Sequence, residues 1–227
     1  DGDYQSTPYD MQTPQTSSWN FSLQRQVGSN WLVSAAYVGN VTTHIWIQDT
    51  GNPSVFLGLG PCTLNGVTFN PCSQATPESY AARRQFTLER PNDATRMGNV
   101  ALQTSSGTMN YHGMLLTVQR RVTRGVTVNA NYTLSHCIGD SADLTSEGPD
   151  AGETNNKVGS RSFDRGECNG DRRQIFNLTS VAQTPQFAGR TMRMVASGWT
   201  LSGIYPRSSG SPLNVLAGSD RALNAVH

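Results

Sequence analysis

The chain has no run of about 18 apolar residues, so no transmembrane helix can be placed on it. It has a single lysine, Lys157, and a net charge of +1, so the basic surface that a nucleic-acid partner requires is missing. It is poor in hydrophobic residues, at 36%, with a mean hydropathy of −0.45. A soluble β-sandwich of 227 residues is ordinarily richer in Val, Ile and Leu. There is no G-x-S-x-G elbow, P-loop or H-E-x-x-H helix, and His44, His112, His136 and His227 are scattered. Ser135-His136 beside an acidic loop reads as a strand end rather than part of a hydrolase triad. Neither enzyme activity nor a cofactor is expected. The chain starts at Asp1, without Met or a signal peptide, and reads as a mature terminus or a cut fragment. These absences leave one membrane class open, because barrel strands cross with about 10 residues of alternating polarity.

That alternation is present. In NYHGMLLTVQRRVTRGVTVNANYTLSH, residues 110–136, Met114, Leu116 and Val118 share one side of a first run. Val126, Val128, Ala130, Tyr132 and Leu134 share one side of a second, opposite Thr127, Asn129, Asn131, Thr133 and Ser135. Thr123-Arg124-Gly125 forms the turn, with Gly125 free to take positive φ. The same layout recurs upstream. Trp19, Phe21 and Leu23 alternate with Asn20, Ser22 and Gln24, Gly28-Ser29-Asn30 turns, and Trp31 to Val38 returns. A third pair follows, with Arg173 to Gln183 and Ser197 to Tyr205 joined through Pro185 to Met194. The expected fold is all-β, an antiparallel up-and-down transmembrane barrel segment of about six strands in three hairpins with long extracellular loops. The expected division is hairpins at 18–38, 110–136 and 172–206, long loops at 39–109 and 137–171, and a loop or tail at 207–227, with residues 1–17 as loop. Val100 to Thr104 is extended loop rather than a crossing, since both tight turns must lie on the same side of the membrane.

Four cysteines form two local pairs, Cys62/Cys72 and Cys137/Cys168. An even count in local pairs suggests two loop-closing disulfides in an oxidising compartment, the alternative being four thiols. The spacing has no C-x-x-C unit, which argues against zinc. Asp140, Asp143 and Glu147 open an acidic run that could offer oxygen ligands to Ca²⁺, but the D-x-D-x-D-G pattern is absent and a solvated loop is the plainer reading. Arg120, Arg121 and Arg124 read as turn solubility. Alternation shows which residues share a face, not which face meets lipid. In a barrel, Asn129, Asn131, Thr133, Asn177 and Thr179 would line the lumen, and Val126, Val128, Ala130, Tyr132 and Leu134 would meet lipid. In a soluble β-sandwich binding module the same faces would exchange roles.

Four phrases carry a family likeness: TSSWNFSLQRQVGSNWLVSAAYVGNVTTH, NYHGMLLTVQRRVTRGVTVNANYTLSHCIGDSAD, RSFDRGECNGDRRQIFNLTSVAQTP and SGWTLSGIYPRSSGSPLNV. In this order they resemble the barrel of Oar-like TonB-dependent outer-membrane transporters, over roughly Trp19 to Asp220. The resemblance implies a place in the bacterial outer membrane and import of a bulky solute. It implies as partners the outer-membrane lipid, the rest of a barrel with its plug, and a TonB-type energy-coupling complex. The alternative is a non-transporting surface β-protein, structural or adhesive. The family's FDRR is split here into Phe163-Asp164-Arg165 and Asp171-Arg172-Arg173 around Cys168. The plug, the coupling box and the terminal strand with its closing aromatic residue are not in this sequence. Six strands cannot close the roughly 22-stranded barrel of such transporters, so the expected object is one section of the wall.

Overall fold

The computed structural model describes residues 2–92, 97–123, 125–140, 165–213, 220–221 and 223. Its main body is one sheet. In chain order the strands are β1 (Gly2–Ser6), β2 (Gln15–Val27), β3 (Trp31–Thr50), β4 (Cys62–Leu64), β5 (Val67–Phe69), β6 (Met97–Thr123), β7 (Val126–Gly139), β8 (Gly166–Glu167), β9 (Gln174–Gln183) and β10 (Thr200–Ser208). Three short helices intervene: α1 (Pro77–Ala82), α2 (Gln85–Glu89) and α3 (Arg190–Ala196). The spatial order β10-β9-β7-β6-β3-β2 is an antiparallel meander in which the six long strands keep their chain order, the short β4, β5 and β8 falling in the connections. Tight turns force the β2–β3 and β6–β7 pairings, and Gly28 (φ 61°) and Gly125 (φ 81°) take the left-handed conformation there. Arg124 lies outside the described residues.

The sheet is larger than alternation suggests. β3 continues past Val38 to Thr50, and β6 begins at Met97, so the two pair from Trp31 with Arg120 up to Thr50 with Ala101. The expected loop at 39–109 is therefore largely strand at its two ends, and Val100 to Thr104 belongs to β6. Residues 1–17 are not all loop either. β1 pairs in parallel with β6 at Met97 to Leu102, along the edge that β7 leaves free. The reason is common to all three segments. Beyond the tight turns' far ends neither face needs to be uniformly apolar, so backbone pairing persists without a period-two signature. β10 likewise runs Thr200–Ser208 instead of starting at Ser197, and part of the connection before it winds into α3. A bulge at His44 (φ 58°) breaks the β3–β6 register between Thr42 and Ile45, where the paired strands leave the patterned region.

Residues 51–92 fold into a cap rather than an open loop. The β4–β5 hairpin is tied by the Cys62–Cys72 disulfide, with Cα atoms 5.1 Å apart. Thr76 caps α1 by accepting from Ser79 N at 3.3 Å, and Pro77 opens the helix where no N–H is needed. Buried Asn52 accepts from Phe86 N and donates to Gly98 O, both at 2.9 Å, which fixes the cap on β6. Arg83 is fully buried at its centre. Its Nε donates to Ser79 Oγ at 3.0 Å and its Nη atoms donate to the carbonyls of Val55, Gln74 and Leu223. A buried guanidinium is tolerated because its donors are occupied. Burial pulls the Arg83 pKa below its ordinary value, and burial together with the Asp220 carboxylate raises that of Tyr80.

The buried apolar side chains, Ile45, Ile47, Phe69, Cys72, Val100 and Cys137, all lie in the cap or the far ends of the strands. On β2 both faces are open: every residue is exposed, Phe21 and Leu23 on the apolar side at 62% and 63%. No second layer covers the sheet among the described residues, unlike a sandwich, which buries one face of each sheet. One close approach is built in. A Cβ on Gly39 would stand 2.5 Å from Trp19 Cε2, so the indole lies directly over the backbone of its ladder partner. Gly39→Val should displace that ring and cost about 1–3 kcal/mol, as overpacking does, read as a lower denaturant midpoint of the lipid-reconstituted protein. An unchanged midpoint would show that the ring has another resting place.

Candidate functional site

Ladder partners share a face of a sheet, so the register assigns each side chain to a surface. One row runs Leu23, Ala35, Leu116, Tyr132, Phe176, Arg207. On one side of it runs Phe21, Tyr37, Met114, Leu134. On the other run Arg25, Val33, Val118, Ala130, Leu178, Tyr205, and then Val27, Trp31, Arg120, Val128, Ser180. Together they form a continuous belt, apolar across its middle, to which Val126 belongs through Ala182 and Leu201. The opposite surface carries Gln24, Ser34, Thr117, Asn131, Asn177 in one row and Gln26, Leu32, Gln119, Asn129, Thr179 in the next. Thr133 lies beside them, between Leu115 and Ile175. Thr117 Oγ1 donates to Asn131 Oδ1 at 3.1 Å across the strands. All five polar residues singled out from the sequence thus share one face, and all five apolar ones share the other.

The belt is not level with the rows. Its upper limit is His112 on β6 and His136 on β7, directly paired, but Gln174 on β9 and Arg207 on β10. Arg207 sits in the row of Leu116, four residues down β6 from His112. That is a slip of roughly 14 Å over three strand spacings, also roughly 14 Å, an inclination of about 45°. The lower limit slips the same way, from Trp31 on β3 to Trp199 beside β10. Trp31 shares its row with Gly203, four residues beyond Trp199, so the slip is roughly 13 Å over four strand spacings, together roughly 19 Å, or about 35°. Transmembrane barrel strands tilt by about 35–45°, which is the angle at which this belt becomes horizontal. Aromatic rings mark both limits. Trp19 and Tyr37 stand at the upper one, with Tyr37 Oη and His112 Nδ1 2.7 Å apart. Trp31 stands at the lower one, with the Arg120 guanidinium 5.4 Å from its ring.

Above the upper limit a polar cluster ties the next loop to β7. The Cys137–Cys168 disulfide joins strand to loop, with Cα atoms 5.4 Å apart. Asp171 Oδ2 accepts from Cys137 N at 3.2 Å and lies 3.5 Å from His136 Nδ1. Arg173 donates to Glu167 at 2.7 Å. Asp140 is buried, accepts from the Thr108 hydroxyl at 2.7 Å and its N–H at 2.9 Å, and pairs with Arg165 at 2.6 Å. Burial by itself would raise the Asp140 pKa from its ordinary 3.8; the Thr108 and Arg165 contacts outweigh that and hold it lower. Both Asp140 oxygens are therefore engaged by protein groups, and no cluster of three metal-ligating residues occurs among the described residues. Asp143 and Glu147 lie outside the described residues. Sequence reasoning missed Thr108, Arg165 and Asp171 as a unit. The split FDRR phrase was the available signal, since Arg165, Asp171, Arg172 and Arg173 each hold a loop contact.

Comparison with known proteins bears on this geometry. The family model described as outer membrane beta barrel domain matches residues 1–227. No curated protein sequence matches the chain. Among solved structures, the outer membrane transporter YddB from Escherichia coli is similar at 13% identity and a TM-score of 0.45, over 92% of this chain and 26% of that one. The chain thus spans about a quarter of that transporter's length.

Two outcomes are expected at the rim. The Asp140 pKa is lower folded than unfolded, so its stabilisation is complete above the ordinary 3.8 and disappears as pH falls below that value. Asp140→Asn should cost about 1–3 kcal/mol near neutral pH and much less in acid, read by limited proteolysis of the loop after β7; a pH-independent loss would contradict this. Non-reducing peptide mapping should recover Cys62 with Cys72 and Cys137 with Cys168, and any cross-pairing would refute the two closures.

Proposed function

Since the chain belongs to the outer membrane beta barrel domain family and resides in the bacterial outer membrane, we propose that it forms one wall section of a larger TonB-dependent transporter barrel of the Oar-like type. The observation that carries this is the oblique apolar belt, inclined by the angle at which membrane barrel strands cross. In this reading Val126, Val128, Ala130, Tyr132 and Leu134 meet lipid, and Asn129, Asn131, Thr133, Asn177 and Thr179 face the lumen. The outer edges of β2 and β10, unpaired among the described residues, continue into further strands. An unpaired edge is intolerable in hydrocarbon, which favours a wide barrel over a free-standing sheet. The cap at 51–92 and the disulfide-tied loop after β7 stand on the outer side, and the turns at Gly28 and Gly125 on the inner side.

A wide barrel with a polar lumen suits import of a bulky solute, with a plug closing the lumen and an inner-membrane TonB-type complex supplying the energy. The chain acts in this by enclosing and guiding the solute, not by chemistry upon it. The ordered resemblance of four phrases to Oar-like transporters supports this reading. The complete open reading frame tests it: a plug domain and an energy-coupling box should precede the barrel, and their absence would end the transport reading in favour of a structural or adhesive surface protein.

Orientation is tested by a pair of variants on neighbouring residues. Leu116→Arg places a cation in the belt and should destabilise the intact barrel in lipid by about 2–4 kcal/mol, while Thr117→Arg on the other face should change little. The reverse ranking would turn the sheet inside out.

A further inference from the structure

At the upper limit of the belt an open cleft of about 250 Å³ lies between β7, β9 and β10, lined by Tyr132, Gln174, Phe176, Arg207, Ser208 and Ser209. Arg207 lies in one ladder row with Phe176 and Tyr132, on the apolar face. Because the belt descends toward β10, the two rings sit deeper along the membrane normal and the guanidinium sits at the boundary. Beside it Arg172 Nη1 donates to the Ser209 carbonyl at 3.1 Å, and the Ser209 hydroxyl accepts from Gln174 N at 3.2 Å. Neither Arg172 nor Arg207 has a carboxylate partner among the described residues. A second cleft of about 180 Å³ nearby, lined by Asn110, His112, His136, Ile138 and Arg165, differs in this respect, since Arg165 is neutralised by Asp140.

We propose that the Arg207 cleft is a binding site for the phosphate of an anionic lipid headgroup in the outer leaflet. The chemistry follows from the arrangement. A planar guanidinium binds phosphate through two parallel N–H donors. Arg172 stands one strand away as a second positive charge, and the floor of Tyr132 and Phe176 offers the apolar surface against which the first part of an acyl chain packs. A soluble phosphate would use the cations but not the floor, and the outward position of the cleft favours the lipid as source. The inference rests on the apolar face meeting lipid, as proposed above.

The test uses the intact barrel protein in phosphatidylcholine nanodiscs doped with diphosphoryl lipid A, followed by native mass spectrometry of bound lipid. Arg207→Gln should lower lipid A retention about tenfold, the loss of one charge-assisted contact, and Arg207→Lys should restore part of it. Arg25→Gln, at the other limit of the belt, should leave retention unchanged. Dephosphorylated lipid A should be held no better by the natural protein than by Arg207→Gln, and inorganic phosphate should not displace the lipid. Equal retention with and without Arg207 would overturn the site, as would full displacement by inorganic phosphate, which would mark a soluble-anion site instead. Quenching of tryptophan by brominated acyl chains reads orientation separately. Normal quenching with unchanged retention removes the headgroup site alone; absent quenching removes both.

Discussion

A peptide group in hydrocarbon has no hydrogen-bond partner except another peptide group. The rest of the structure follows from that constraint. β2, β3, β6, β7, β9 and β10 satisfy one another row by row through the patterned region, and the two turns at Gly28 and Gly125 are as short as positive-φ glycines allow. With the backbone satisfied within the sheet, the side chains alone distinguish the two surfaces. One is an apolar belt bounded by Trp19 and Tyr37 above and Trp31 below, and the other is a mixed face in which Asn, Gln, Ser and Thr predominate over Leu32, Leu115 and Ile175. Under the same constraint the outer edges of β2 and β10, unpaired among the described residues, are the edges that the proposed wider barrel would pair.

Outside the belt the problem is different. Water supplies hydrogen bonds there, and the chain is free to build conventional tertiary structure. That is where burial appears: Ile45, Ile47 and Val100 under the strand ends, and the Arg83-centred cap with its disulfide. The cap holds its cation by carbonyl oxygens drawn from segments as distant as Val55 and Leu223, so it fastens two loops to each other. Asp140, Thr108 and Arg165 do the same for β6, β7 and the loop after β7. The cap, anchored this way, holds a fixed shape beyond the end of the belt.

What was legible in the sequence was the part under the strictest physical rule. The hairpin at residues 110–136 showed its faces residue by residue, because lipid on one side and water on the other impose period two. The cysteine pairs were legible from their local spacing. The upper halves of β3 and β6, the parallel strand β1 and the whole cap were not. Their side chains answer to local packing, and Thr43-His44-Ile45 even contains a bulge that resets the alternation. The Asp140–Arg165 pair was hidden for a similar reason, since a contact across 25 residues leaves no periodic trace. The inclination of the belt needed both levels, because the sequence marks its limits and only the register lines them up.

The central claim is that the even-numbered face of β7 meets lipid. Nitroxide labels introduced one at a time from Val126 to Leu134 in the membrane-reconstituted barrel test it directly. Collisions with oxygen, which concentrates in hydrocarbon, should be most frequent at 126, 128, 130, 132 and 134, and collisions with a water-soluble nickel chelate at 127, 129, 131 and 133. Alternation of the opposite phase, or none, would contradict the account.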